Sequence, residues 1–181
     1  MAQHVCPWWL AYTFDNPLRR FLHRPAEIFD SHLQEGMTVL DLGCGMGYFS
    51  IAMAGIVGDS GQVISVDLQE KMLAILKKRA IKAGLANRIA PVQCTEENVG
   101  VTEKADFALA FWMVHETPSQ KRFLSQVFAL LKESGKMLIA EPRMHVTVTD
   151  FEKTLDLATR VGFKEISCPK VRWSRAVLLQ K

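Results

Sequence analysis

The amino-acid sequence predicts an α/β domain in which helices cover a largely parallel β-sheet. From residue 38 onward, short apolar runs rich in Val and Ile alternate with segments whose apolar residues recur at helical spacing. In addition, a chain of 181 residues that is 49% hydrophobic is long enough to form one domain with a substantial core. We therefore expect a single domain built from repeated strand–helix units.

The apolar runs predict seven strands, at residues 38–42, 62–67, 89–93, 106–110, 136–140, 163–167 and 176–180. Between them, two helices are predicted from buried stripes, one that includes Met72 and Leu76 and one that includes Leu124 and Val127. Each stripe gives its helix one apolar face, so both helices are expected to pack on the sheet.

A third helix is predicted at residues 150–161. Thr149 followed by Glu152 resembles a capping box, and Gly162 supplies a C-terminal stop. This helix leads into the sixth predicted strand.

Residues 1–37 differ from the rest of the chain. Asn16-Pro17 and Arg24-Pro25 each resemble a helix start, and residues 1–15 contain aromatic side chains without a periodic pattern. Because residues 141–148 leave no room for a large substrate cap, we predict that residues 1–37 form short helices and a lid ahead of a main domain at 38–181. An equally open interpretation is that Trp8 and Trp9 cover the edge of the sheet.

The first predicted strand runs through Asp41 into a glycine-rich turn ahead of a helix that begins near Tyr48. Gly43, Gly45 and Gly47 let the chain turn tightly and bring backbone N–H groups close to a ligand. A dinucleotide fingerprint would need glycine at position 48, where Tyr48 stands. The loop therefore predicts a ligand other than a dinucleotide, and the alternative is a tight turn without a ligand.

The second predicted strand ends in an acidic residue, Asp67. A carboxylate at this position can accept hydrogen bonds from both hydroxyl groups of a ribose. Its place one helix and one strand after the glycine loop favours a binding role over chance.

Three segments together resemble a known family, namely DLGCGMG, VISVD and ADFALAFWMVHE. They resemble motif I, the ribose-binding acid and motif IV of class I methyltransferases that use S-adenosylmethionine (SAM). Within that superfamily, residues 37–181 are most similar to the ubiquinone/menaquinone-biosynthesis and arsenite-methyltransferase type of domain. The resemblance implies SAM as cofactor and a single Rossmann-like domain, whose seven-stranded, mostly parallel sheet has an antiparallel last strand and helices on both faces.

The resemblance also implies roles for individual residues. The amino-acid part of SAM would contact Asp41, Gly43, Cys44, Gly45 and Gly47. Asp67 would hold the ribose, and Leu68 would flank the adenine. Thr95 and Glu96 lie where the family often has Gly-Asp-Ala beside the adenine amino group, so Thr95 replaces the expected Asp and would serve through its hydroxyl or a backbone group.

After the fourth predicted strand, Phe111 lies where the family lines the boundary between SAM and substrate, and His115-Glu116 matches a frequent His-His pair. A histidine near the methyl acceptor could act as a general base. We therefore name His115 as the candidate catalytic residue. A purely structural hydrogen bond made by this histidine is the alternative.

Composition bears on the partners, the location and the metal content of the protein. A net charge of +3 does not favour a nucleic-acid partner, and no signal peptide or membrane span is apparent, so a cytoplasmic protein is expected. Cys6, Cys44, Cys94 and Cys168 lie far apart without a CxxC pair, so we expect no metal site. The arsenite-methyltransferase resemblance keeps a thiol role for Cys6, Cys94 and Cys168 as a minor alternative.

The leading function is a SAM-dependent methyltransferase with a small-molecule substrate, no nucleic-acid or membrane partner and an open oligomeric state. Methyl transfer can proceed with little help from an acid or base when the methyl donor and the acceptor are aligned. The identity of the acceptor therefore cannot be inferred from a catalytic residue. A nucleic-acid or protein methyltransferase is one alternative, supported by Arg19-Arg20 and the basic residues at 172–175. A non-catalytic SAM-binding module is the other.

Overall fold

The computed structural model describes residues 23–29 and 31–181, and these form a seven-stranded sheet with helices on both faces. The strands are β1 (Thr38–Leu42), β2 (Gln62–Asp67), β3 (Ile89–Gln93), β4 (Ala105–Phe111), β5 (Leu131–Pro142), β6 (Lys164–Ser167) and β7 (Ser174–Gln180). Their order across the sheet is β3-β2-β1-β4-β5-β7-β6. Neighbours from β3 to β5 pair in parallel, and β7 is antiparallel to both β5 and β6. The predicted fold class is confirmed.

The helices are α1 (Pro25–Phe29), α2 (Tyr48–Val57), α3 (Glu70–Lys82), α4 (Gln120–Leu130) and α5 (Val148–Val161). Side chains of α1, α2 and α3 pack on one face of the sheet, and side chains of α4 and α5 pack on the other. Alternate residues of each central strand supply the two cores, so Leu138 faces α2 while Ile139 faces α4. The sheet is thus buried on both sides, as parallel sheets require.

The strand boundaries agree with the sequence pattern except around β5. This strand begins at Leu131 rather than at residue 136, because Leu131 pairs with Ala105 ahead of a bulge in the ladder. Ser134 within this stretch has a φ of 64°, which breaks the regular alternation of side chains. A bulged segment carries no clean period of two, so the apolar pattern did not reveal it.

Helix α5 begins two residues before the predicted start at 150, at Val148. Its N-cap is Thr147, whose Oγ1 accepts the backbone N–H of Asp150 at 3.1 Å and donates to the Asp150 carboxylate at 2.7 Å. The cap therefore lies two residues earlier than the predicted pair of Thr149 and Glu152. Asp150 is three residues after the N-cap, at the position where a capping box has Glu or Gln.

The structure describes only part of the N-terminal segment for which predictions were made. Helix α1 begins at Pro25, as the Arg24-Pro25 pair predicts. The predicted helix start at Asn16-Pro17 and the aromatic residues 1–15 lie outside the described residues, so the lid stays a prediction. Across the described part of the chain, no helix has the length and apolar character needed to cross a membrane.

Candidate cofactor and active site

The loop between β1 and α2 has three glycines in the left-handed region, with φ angles of 69° at Gly43, 54° at Gly45 and 83° at Gly47. A Cβ at Gly43 would meet the Met113 side chain at 2.8 Å, and a Cβ at Gly47 would overlap the Leu76 side chain. A Cβ at Gly45 would meet nothing within 4 Å. Two glycines therefore allow close packing, and the third faces open space beside the carboxyl end of β1.

Asp41 lies beneath this loop and is buried. Its Oδ2 accepts a hydrogen bond from Ser50 Oγ at 2.5 Å, which links the end of β1 to the first turns of α2. The neighbouring Cys44 is also buried, and burial raises the pKa of its thiol, as do the nearby Asp41 and Asp67 carboxylates. Cys44 therefore contributes its backbone and an apolar side chain to the loop, not a thiolate.

Asp67 lies at the carboxyl end of β2, directly beside the glycine loop. Its Oδ2 accepts the N–H of Gly45 at 2.8 Å, and its Oδ1 accepts the N–H of Gln69 at 2.9 Å. Burial raises the pKa of this carboxyl, and the backbone N–H groups partly offset that effect. An acidic group beside an open glycine position suits a ligand that carries a hydroxyl pair, so these residues fit the nucleoside part of SAM.

The predicted adenine contacts lie around the carboxyl ends of β2 and β3. Leu68 is half-buried, and its carbonyl accepts a hydrogen bond from the side chain of Gln93 at 3.2 Å. Thr95 and Glu96 are exposed, and the Thr95 hydroxyl accepts the N–H of Asn98 at 3.1 Å. The Thr95 N–H also donates to Asn98 O at 3.0 Å, so both its hydroxyl and its N–H take part in a local turn, and an adenine contact by Thr95 stays a prediction.

At the end of β4 the chain makes a turn that the sequence did not reveal. Trp112 has a φ of 59°, and it is held by its N–H to Ala140 O at 2.7 Å and by Nε1 to Ser174 Oγ at 2.8 Å. The preceding Phe111 is buried, with its ring 4.6 Å from that of Phe49. Phe111 thus packs under the site, while the turn directs the next residues across the carboxyl end of the sheet.

His115 lies in the short 3-10 helix after this turn and pairs with Glu141 at the end of β5. The His115 Nδ1 is 2.5 Å from Glu141 Oε2, and the same carboxylate accepts the backbone N–H groups of Val114 and His115, each at 3.1 Å. Glu141 is 1% exposed, whereas 27% of the His115 side chain is exposed. The His145 ring stacks beside His115 at 6.3 Å, with an interplanar angle of 3°. The imidazole is therefore oriented by a buried carboxylate and remains accessible.

The pairing controls the protonation of the imidazole. Burial alone would lower the pKa of His115, but the hydrogen bond and charge of Glu141, with a smaller contribution from Glu116, outweigh it, so the pKa is raised. An ionised carboxylate can only accept, so Nδ1 carries the proton and Nε2 of the neutral ring has a free lone pair. Such a ring can take up a proton at Nε2.

Glu141 was missed by the sequence reasoning. A signal existed, because it is an acidic residue that directly follows the apolar run Met137 to Ala140 at the end of a predicted strand. The sequence alone did not show that β5 lies next to β4, and this adjacency is what brings Glu141 to His115.

The thiol alternative receives no support from the described residues. Cys94 follows β3 and Cys168 follows β6, which are opposite edges of the sheet. Burial and the charge of Asp67 raise the pKa of Cys94 to about 11. Cys6 lies outside the described residues, and within the described ones no three His, Cys, Asp or Glu side chains form a metal-binding group.

Comparison with known families agrees with this geometry. A family model described as a methyltransferase domain matches residues 33–174. This chain belongs to the class I SAM-dependent methyltransferases. SAM is accordingly its cofactor and methyl donor.

Individual relatives place the methyltransferase in context. It is 28% identical over 135 residues to the ubiquinone/menaquinone biosynthesis C-methyltransferase UbiE of Haemophilus ducreyi, a match that covers 72% of this chain and 52% of the relative. The chain thus spans about half the length of that relative. A SAM-dependent methyltransferase from Aquifex aeolicus superposes with a TM-score of 0.87 at 22% identity, covering 97% of this chain and 99% of the other. Aeropyrum pernix fibrillarin, solved with natively bound SAM, has a TM-score of 0.65 at 16% identity over 81% of this chain and 67% of its own.

Proposed function

We propose that this methyltransferase acts on a small molecule whose nucleophilic atom carries a proton, and that His115 accepts that proton at Nε2. The observation that carries the proposal is the pairing of His115 with the buried Glu141. SAM supplies the methyl group when bound. The methyl group would pass from the sulfonium to the acceptor, S-adenosylhomocysteine would leave, and the acceptor's proton would pass to Nε2 of His115.

The chain's own residues would hold the donor along the carboxyl ends of β2, β1 and β4. Asp67 is placed to accept the ribose hydroxyls, and the missing side chain at Gly45 leaves room for the ligand. The N–H groups of the loop glycines already donate within the chain, so they shape the loop. Asp41 acts through Ser50, because that contact holds the start of α2 against the loop.

A hydroxylated aromatic ring is the acceptor class that this arrangement favours. Loss of a phenolic proton makes the ring's oxygen and its adjacent carbons nucleophilic, which is the activation that a histidine base provides. The relative from Haemophilus ducreyi is named as a C-methyltransferase of ubiquinone and menaquinone biosynthesis. That name supports the acceptor class for this chain without specifying the molecule.

The test measures release of S-adenosylhomocysteine from SAM with a panel of hydroxylated aromatic compounds. His115→Asn is expected to lower kcat about 100-fold or more, with SAM affinity unchanged, because general-base catalysis contributes on the order of 10²–10⁴-fold. The matched control is His32→Asn, since His32 lies at the opposite end of the sheet, where its ring stacks near Phe107. SAM binding without turnover of any panel compound would contradict the proposal.

The pH profile gives a second readout. The base form of His115 is populated above its pKa, and that pKa is raised, so the acid limb of kcat should lie above the ordinary histidine value of about 6.5. Glu141→Gln removes the charge that raises the pKa and leaves burial, which lowers it. We expect the limb to move to lower pH while maximal kcat falls. An unshifted limb in Glu141→Gln would show that Glu141 does not position and charge the base.

A further inference from the structure

Two adjacent loops at the carboxyl edge of the sheet expose large apolar side chains. The β5–α5 loop and the first residue of α5 expose Met144, at 84%, and Val148, at 55%, and the β6–β7 loop exposes Trp173, at 54%. The loops are joined because Arg143 N donates to Trp173 O at 2.9 Å. We call the exposed surface of residues 143–148 and 170–173 the loop edge.

The loop edge also carries positive charge. Arg143, Lys170 and Arg172 are exposed there, and residues 142–149 and 166–174 contain no Asp or Glu. Side chains that combine apolar area with cationic groups suit a surface that is apolar below and anionic above. An anionic lipid bilayer has both properties.

Trp173 combines an uncommon backbone conformation with an exposed side chain. Its φ is 57°, in the left-handed region that bulky residues rarely adopt, yet more than half of its surface faces solvent. Strain of this kind persists where the surroundings impose it and is common at functional sites. Tryptophan is also enriched at the boundary between lipid and water.

We propose that the loop edge docks on the surface of an anionic lipid bilayer. Trp173 and Met144 enter the interfacial layer, and the three basic residues contact lipid headgroups. Docking at the surface requires no membrane-spanning helix, and none of the helices in the described residues could span a membrane. It adds a peripheral contact that the sequence analysis did not expect.

The position of the loop edge gives the docking a consequence for the acceptor. His145 belongs to the same turn as Met144, and its ring stacks on that of His115. On the β7 side, Arg172 O accepts a hydrogen bond from His23 Nε2 at 3.0 Å, and the His23 ring lies 5.0 Å from that of Phe111. Resting on the proposed function, this placement puts the candidate base His115 beside the loop edge, so docking would favour an acceptor dissolved in lipid.

The experiment measures pelleting of the 181-residue chain with sucrose-loaded vesicles of phosphatidylcholine alone or mixed with phosphatidylglycerol. Binding is expected to the mixed vesicles and to fall with added salt. Trp173→Asn combined with Met144→Ser should weaken binding about tenfold or more through lost apolar contact. Asn is chosen because it tolerates the left-handed backbone at position 173. Arg172→Gln should weaken binding roughly fivefold.

The matched controls are Ile81→Ser and Lys78→Gln, because both residues are exposed on α3 away from the loop edge. These two variants should bind vesicles as the unmodified chain does. Equal binding to neutral and anionic vesicles, or losses in the controls as large as those at the loop edge, would overturn the proposal. So would a chain that binds SAM and methylates a water-soluble acceptor but pellets with neither vesicle type, a result that leaves the proposed function standing.

Discussion

Asp67 connects two parts of the cofactor site through one side chain. Its carboxylate holds the glycine loop at Gly45 and the residue before α3 at Gln69. Each carboxylate oxygen can accept two hydrogen bonds, so a ribose hydroxyl can be added without releasing either backbone group. The carboxylate is therefore positioned for the ligand by the same contacts that shape the loop.

Replacing Asp67 with Asn is expected to weaken SAM binding about 10- to 100-fold. The amide presents an N–H₂ group toward a backbone N–H and loses a charge-assisted bond, an interaction worth about 1.5–3 kcal/mol. Isothermal titration calorimetry measures the change. Asp59→Asn is the control, because Asp59 is an exposed partner of Arg88 away from the loop, and equal affinities of the two variants would refute the ribose role.

Asp67 and Glu141 differ in how far their positions could be predicted from the sequence. The ribose contact of Asp67 stays a prediction. The place of Asp67 beside the glycine loop could be predicted, because it depends on a strand end and a loop that are close in the chain. Glu141 could not, because it is separated from His115 by helix α4 and most of β5, and its role depends on strand adjacency. The hydrogen bonds of Thr95 are local, but threonine does not demand them. The left-handed conformation of Trp112 accompanies bonds to Ala140 and Ser174, which are distant in the chain.

At the scale of elements, α5 begins with a reciprocal cap between Thr147 and Asp150. The helix covers the sheet face opposite the glycine loop, packing through Phe151 and Ala158. Its start also determines where the turn that carries Met144 and His145 ends. The cap therefore stabilises both a core helix and the loop beside the candidate base.

Thr147→Ala should lower the free energy of unfolding by about 1 kcal/mol, because the N-terminal N–H groups of α5 lose their side-chain acceptor. Thr149→Ala, two residues into the same element, should change it little, since the structure assigns the cap to Thr147. Urea unfolding of the two variants measures the difference. A larger loss at Thr149 would instead support the cap that the sequence predicts.

The elements themselves were largely predictable. Strands β1, β2 and β3 have the predicted bounds. β1 and β2 are buried on both faces and follow mostly apolar runs, whereas β3 is an edge strand in which only Ile89 is buried. The early start of β5 was not predictable, since Ser134 and Gly135 interrupt the pattern while the ladder to β4 continues through a bulge. Long-range pairing, and not local propensity, determines that boundary.

At the scale of the whole molecule, SAM binding should raise thermal stability. A ligand at about 100 times its Kd stabilises the native state by about 2.7 kcal/mol. For a domain of this size, each kcal/mol raises Tm by about 2–4 °C, so a rise of about 5–10 °C is expected. Differential scanning fluorimetry measures it, and the rise for Asp67→Asn at the same SAM concentration should be about half as large or smaller, because its Kd is expected to be about 10- to 100-fold higher. An equal rise in both proteins would place SAM elsewhere.

The order of the strands could not be read from the apolar pattern, which is the same for each run. The antiparallel last strand was expected from family resemblance, and the structure agrees in placing β7 between β5 and β6. Patterns of residues predict which segments are strands, whereas the order depends on how the crossovers pack.

That order divides the proposed chemistry between two halves of the sheet. The residues assigned to SAM lie at the carboxyl ends of β3, β2, β1 and β4, whereas Glu141 and the loop edge lie on β5, β7 and their loops. In an evolving lineage, the second half can therefore diverge while the first half is preserved. Exchanging residues 141–181 for those of another member of the superfamily would then transfer acceptor preference as a module and leave recognition of the methyl donor intact.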